Sequence, residues 1–112
     1  MKKRLDNTYL VDMRKAAELA VEFLQGISRE QFETDIMRQS AVTRQLEIIG
    51  EAANHVSEKF QSAHAKIPWS EIIGMRNILI HMYHELDTEI VWKTVHENLP
   101  QLLSQLGTII SK

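Results

Sequence analysis

Apolar residues along this chain recur every three or four positions, and no segment shows the two-residue alternation of a half-buried strand. The spacing predicts a first helix from about Asn7 or Thr8 to Gln25, with Asn7 as its N-cap. Leu10, Met13, Ala17, Ala20, Val21 and Leu24 form its packed side, and Gly26 stops it. Ser28-Arg29-Glu30-Gln31 reads as a capping box that opens a short helical turn ending near Phe32 and Glu33. The longest predicted helix runs from about Thr34 to Phe60. Val42, Leu46, Ile49, Ala53, Val56 and Phe60 make a continuous seam along it, and Ala41, Ile48 and Ala52 a second stripe beside the first. Two stripes imply two neighbours. Gly50 interrupts this pattern at a cost of about 1 kcal/mol relative to alanine, which points to close helix approach. Glu51 beside it reads as a solvated or structural carboxylate.

Gln61 to Lys66 reads as a polar loop, and Pro68 suits the first turn of a helix reaching about Tyr83. Gly74 lies inside that helix, where close packing of a second copy, or of a ligand, would explain it. His84 to Leu86 breaks the helix and Asp87 caps the next, which runs from Thr88 towards Ser111. Its buried face is Val91, Val95, Leu99, Leu102, Leu106 and Ile109. Pro100 removes one backbone bond and clashes one turn back, so a kink or restart is expected near His96. The pattern describes one all-α domain over residues 1–112, an antiparallel bundle of four main helices plus a short one.

Composition narrows the function classes. A chain of 112 residues holds one core and gains from dimerisation. With no cysteine, disulfides and thiolate metal sites are excluded. Asp6, Asn7 and Asp12 interrupt any signal-peptide core, and no apolar run approaches the ~20 residues of a membrane span, so the cytoplasm is the default. A net charge of −2 argues against a general nucleic-acid coat. It leaves room for an enzyme with local positive charge.

That charge lies in Met75 to Asp87 (MRNILIHMYHELD), where Arg76, Asn77, His81, Tyr83 and His84 interrupt an apolar segment. On a helix, Asn77, His81 and His84 share one face, while Arg76 and Tyr83 stack roughly 80–140° away. Ile72, Met75, Ile78, Leu79 and Met82 fill the opposite arc. Ile73 and Ile80 interrupt the polar arc, which suits a subunit interface or the floor of a cleft. Imidazole takes and returns protons near neutral pH, and guanidinium forks onto phosphate oxygens. Together they suffice for RNA cleavage without metal: histidine draws the proton from a ribose 2′-hydroxyl, which attacks the adjacent phosphate, and arginine stabilises the oxyanions. The products would be a 2′,3′-cyclic phosphate and a free 5′-hydroxyl.

Arg76, His81 and Tyr83 fit R-x4-6-H-x-Y, and with this motif the chain resembles the HepT-like toxins of the HEPN superfamily. The resemblance extends from about Tyr9 to Ile109, through Leu46-Glu47-Ile48-Ile49-Gly50-Glu51-Ala52-Ala53, Ile67-Pro68-Trp69, Gly74-Met75, Val91-Trp92 and Leu99-Pro100. It implies a homodimeric, HEPN-like endoribonuclease toxin of a type II or VII-like toxin–antitoxin system. The active site is then a groove where two protomers bring their motif helices together, with Arg76 and His81 catalytic and Asn77 and Tyr83 supporting. The implied partner is an MNT-type nucleotidyltransferase antitoxin that places AMP on Tyr83, the implied substrate is RNA, and no cofactor is implied.

Blander readings stand beside these. Arg76 and His81 also suit a structural ion pair or a polar network at a dimer interface. Asn77 either fixes the imidazole tautomer or bonds across a two-fold axis. Tyr83 also suits core packing with its hydroxyl at the rim. His81 and His84 have a spacing that can share a metal ion, but no acidic ligand follows at the required spacing. His55, His64 and His96 read as surface or boundary residues without a role, and Trp69 and Trp92 as packing groups rather than base-stacking platforms. The alternative function is a non-catalytic binding subunit that presents a substrate or Tyr83 to a partner nucleotidyltransferase. A purely structural dimerisation module is the third.

Overall fold

The computed structural model describes the backbone of residues 2–81 and 87–110, and the side chains of these except 2–4 and 76–81. The described residues form helices α1 (Lys2–Phe23), α2 (Arg29–Thr34), α3 (Ile36–His55), α4 (Glu58–Ala63), α5 (Trp69–His81), α6 (Thr88–Lys93) and α7 (Leu99–Ile109). A π-helical segment, Thr94–Asn98, joins α6 to α7. Among the described residues the fold is all-α, as the periodicity predicts, with α1, α3, α5 and the composite α6–α7 as main helices and α2 and α4 as short ones.

Contacts at both ends make α1 and α3 antiparallel. Near the start of α1, Asp6 accepts hydrogen bonds from the Ser57 N–H at 2.8 Å and the Ser57 hydroxyl at 2.7 Å, just beyond the end of α3. At the other end, Arg38 Nε donates to the Phe23 carbonyl at 2.7 Å. This register sets Leu10 level with Ala53 and Met13 with Ile49, and all four are buried. The predicted seam is buried from Val42 through Val56, and the predicted face of the last helix from Val91 through Leu106.

Local chemistry sets most of the boundaries. Gly26 adopts φ +74°, the left-handed stop that a side chain disfavours. Ser28 and Gln31 exchange the two bonds of a capping box, at 2.8 and 3.1 Å. Asp35 caps α3 through Arg38 N at 2.9 Å and pairs with Arg38 Nη1 at 2.8 Å. The Arg38 backbone N–H and then its guanidinium hold the Asp35 carboxyl below its ordinary range. Asp87 caps α6 through the N–H groups of Glu89 and Ile90.

Three expectations are corrected. The first helix begins at Lys2, so Asn7 lies inside it and is not its cap; Asp6, anchored on Ser57, draws the preceding turn onto the α3–α4 junction. The long helix does not reach Phe60. It ends at His55, Val56 is extended, and Ser57 starts a separate helix that includes Gln61 to Ala63, predicted as loop. Gln61 Nε2 donates back to the Val56 carbonyl at 2.9 Å and the Ala53 carbonyl at 3.3 Å, satisfying groups that the break leaves open.

The expected disturbance before Pro100 takes the form of the π segment. Proline offers no N–H to the His96 carbonyl and its ring crowds that turn, so the helix widens there. The predicted break over residues 84–86 lies outside the described residues. Among the described residues no helix is long and apolar enough to cross a membrane.

Candidate active site

Helix α5 begins against α4. Pro68 precedes its first residue and accepts the Ile72 N–H at 3.0 Å, so its missing donor costs nothing. Trp69 is buried, meets Phe60 edge-on at 6.4 Å and donates Nε1 to the His64 carbonyl at 3.0 Å. Because Gln61 ties α4 to the end of α3, α5 starts at that end and runs back along α3, against which it packs.

Of the predicted site residues, Arg76, Asn77 and His81 stand on the described α5 backbone, and their side chains lie outside the described residues. Tyr83 and His84 lie outside them altogether. Continuous helix from Trp69 through His81 nonetheless fixes the register. Ser70, Gly74, Asn77 and His81 follow one another at spacings of four, three and four along one line. The described part of that line is uncovered: Ser70 is exposed, and among the described residues nothing stands within 4 Å of where a Gly74 Cβ would be. No described residue therefore approaches α5 closely at Gly74.

Arg76 has a different register. It falls two turns after buried Trp69 and one turn after half-buried Ile72 and Ile73, on the side of α5 that packs inward. Asn77 and His81 thus share the open line, and Arg76 the line next to α3. A third line, Pro68, Ile72 and Met75, borders a cavity of about 450 Å³ closed by Leu46 and Ile49 of α3 and Leu102 of α7. This cavity opens roughly 150° around α5 from the Asn77–His81 line, so it is a separate feature from the motif face.

On the flank of the α3 seam stand two polar residues that reasoning from spacing alone did not single out. Thr43 Oγ1 is buried and, among the described residues, has no hydrogen-bond partner. Glu47, one turn on, is half-buried. The available signal was two polar groups four residues apart on the flank of an apolar seam.

The other aromatic and imidazole residues serve packing. Trp92, half-buried, lies between Phe32 at 5.8 Å and His96 at 3.9 Å. His55 stacks on Tyr9 at 5.1 Å and His64 packs on Phe60 at 4.3 Å; His55 and His96 are exposed and His64 half-buried, as expected of surface or boundary positions.

The family model described as Ribonuclease HepT-like matches residues 13–109. The chain is 45% identical over 100 residues to a protein of Thermococcus cleftensis named probable ribonuclease HepT, covering 89% of this chain and 91% of that one. It is 39% identical over 104 residues to a protein of Caldanaerobacter subterraneus subsp. tengcongensis named "Putative RNase", covering 93% of each. A protein of Methanocaldococcus jannaschii, also named "Putative RNase", is 37% identical over 109 residues, covering 97% of this chain and all of that one. No solved structure matches the chain. On the strength of these matches, which span nearly its whole length, the chain belongs to the ribonuclease HepT-like family of the HEPN superfamily.

Proposed function

We propose that this protein is a metal-independent endoribonuclease toxin: one domain over residues 1–112, acting in the cytoplasm as a homodimer. Arg76 and His81 of both protomers would meet at a shared groove, with Asn77 and Tyr83 in support. The observation that carries this reading is the uncovered Ser70–Gly74 line of α5, whose register continues through Asn77 and His81. A second copy laid on that line brings two sets of these residues together. Family membership supports the choice of RNA as substrate.

In this mechanism the His81 imidazole takes the proton of a ribose 2′-hydroxyl. The freed O2′ bonds to the adjacent phosphorus, and the bond from phosphorus to the 5′ oxygen breaks. That oxygen leaves with a proton from an imidazolium, giving a 2′,3′-cyclic phosphate and a 5′-hydroxyl. Arg76 stabilises the charge on the non-bridging oxygens. Silencing is by an MNT-type nucleotidyltransferase, which transfers AMP from ATP to the Tyr83 hydroxyl with release of pyrophosphate.

The test is RNA cleavage by partner-free protein in EDTA, beside His81→Ala, with product ends identified. Cyclic-phosphate ends from the wild type alone support the reading. An inert, well-folded, unmodified dimer would overturn it in favour of a binding subunit that presents Tyr83.

A further inference from the structure

Met37, Ala41, Arg44, Ile48, Glu51 and His55 recur along α3 at spacings of four and three, on the side opposite core residues Leu46 and Ala53. None of the six is buried: Met37 is 83% exposed, Arg44, Glu51 and His55 are exposed, and Ala41 and Ile48 are half-buried. A stripe of α1 runs beside this line, and contacts at both ends fix the pair. Tyr9 stacks on His55 at 5.1 Å at one end, and at the other Phe23 lines a shallow groove with Met37 and Ala41. Leu5 precedes Tyr9 by four residues and Leu19 precedes Phe23 by four, so both belong to the same stripe. Three of the four large exposed hydrophobics among the described residues, Leu5, Leu19 and Met37, therefore border one outer face of the α1–α3 pair. An apolar face of this kind marks a contact surface.

The charges on the face indicate what covers it. Arg44 and Glu51 stand seven residues apart on one line with Ile48 between them, and neither enters an ion pair among the described residues. The Asp6–Ser57 bonds and the Tyr9–His55 stack set Asp12, three residues after Tyr9, level with Glu51. Carboxylates thus lie to one side of Ile48 along the line, and the Arg44 guanidinium to the other. This pattern is its own complement. A second α3, turned end for end about an axis at Ile48, lays its Glu51 on Arg44 and its Arg44 on Glu51. A partner of a single charge sign would meet repulsion at one end or the other.

We infer that the outer face of α1 and α3 packs on the same face of a second copy, antiparallel about a two-fold axis at Ile48, with Arg44 and Glu51 forming two reciprocal ion pairs. The face shares no residue with the open line of α5. The inference does not rest on the RNA-cleaving reading, and a protein that cuts no RNA leaves it standing.

The test is sedimentation equilibrium of the full chain as wild type, R44E, E51R and the double variant R44E/E51R, with circular dichroism to show intact helices. R44E alone sets carboxylate against carboxylate at both contacts, and E51R alone sets guanidinium against guanidinium. Each is expected to weaken association roughly tenfold or more. The double variant reverses both pairs and is expected to return to within about threefold of wild type. An equimolar mixture of R44E and E51R should recover likewise, because a mixed pair brings opposite charges together at both contacts. A wild type that stays monomeric overturns the inference and leaves the face to a partner of another kind. Single variants that associate as wild type does, or a mixture that associates no better than its components, overturn it as well.

Discussion

Asp6 and Ser57, 51 residues apart, are joined by two hydrogen bonds, one to the Ser57 N–H and one to its hydroxyl. The same Ser57 oxygen accepts the Phe60 N–H at 3.2 Å and so caps α4. One carboxylate, only 5% exposed, therefore fixes the start of α1, the end of α3 and the start of α4 together.

Asp6→Ala is expected to destabilise the fold by about 1–3 kcal/mol, because both Ser57 donors lose their acceptor in a buried setting. Asp6→Asn costs less, since an amide oxygen still accepts the Ser57 N–H. Urea unfolding followed by tryptophan fluorescence reads both. An unchanged midpoint for the alanine variant would show that this junction contributes nothing to stability.

Asp35 gives a pH prediction with a definite sign. Its folded carboxyl is held below the ordinary range by the Arg38 backbone N–H and guanidinium. Its contribution is therefore complete above the unfolded value and lost as pH falls through the folded one. The stability difference between wild type and Asp35→Asn should be largest near neutrality and shrink in acid. Thermal melts across that range measure it, and a difference that grows in acid would contradict the assignment.

Gly26 and Gly74 should respond in opposite ways to alanine. Gly26 sits at φ +74°, so Gly26→Ala is expected to destabilise by about 1 kcal/mol although nothing crowds the site. Gly74 is helical with open space at its Cβ position, so Gly74→Ala is expected to stabilise the isolated chain by up to about 1 kcal/mol. If a second copy closes on that line, the same variant weakens self-association. Sedimentation beside unfolding separates the two effects.

On the proposed chemistry, removing the base or the oxyanion clamp leaves binding and proximity in place. His81→Ala should therefore lower kcat by roughly 10²–10⁴, and Arg76→Ala by roughly 10²–10³. Arg76→Lys restores little, because a point charge does not reproduce a two-pronged contact. Rates within a factor of about two of wild type for His81→Ala would remove His81 from the mechanism.

Silencing has its own readout. Incubation with ATP and the cognate nucleotidyltransferase should add the mass of one AMP to wild type and none to Tyr83→Phe. Adduct on another residue would move the modification site.

Much of this molecule is legible in its sequence, for a physical reason. Helical period, the Ser28–Gln31 box, the Gly26 stop and the Asp87 cap all act between residues a few positions apart, so composition and spacing alone describe them. The candidate site is legible in the same way. Arg76, Asn77 and His81 lie within six positions on one helix, and their mutual register follows from 3.6 residues per turn.

Where periodicity misleads, the deciding partner is distant in sequence. The seam from Val42 to Phe60 keeps its period across Ser57, and only Asp6, brought over by the antiparallel packing of α1, makes that serine a break. Likewise, no spacing rule shows that, among the described residues, Ser70 is exposed, the Gly74 Cβ position is open and the Thr43 hydroxyl is buried without a partner. The sequence by itself determined the main helices, the caps at Ser28 and Asp87, and the residues proposed for the chemistry. Tertiary structure alone decided which line of α5 stays open and which lies against α3, because burial belongs to packed surfaces and not to any one segment of chain.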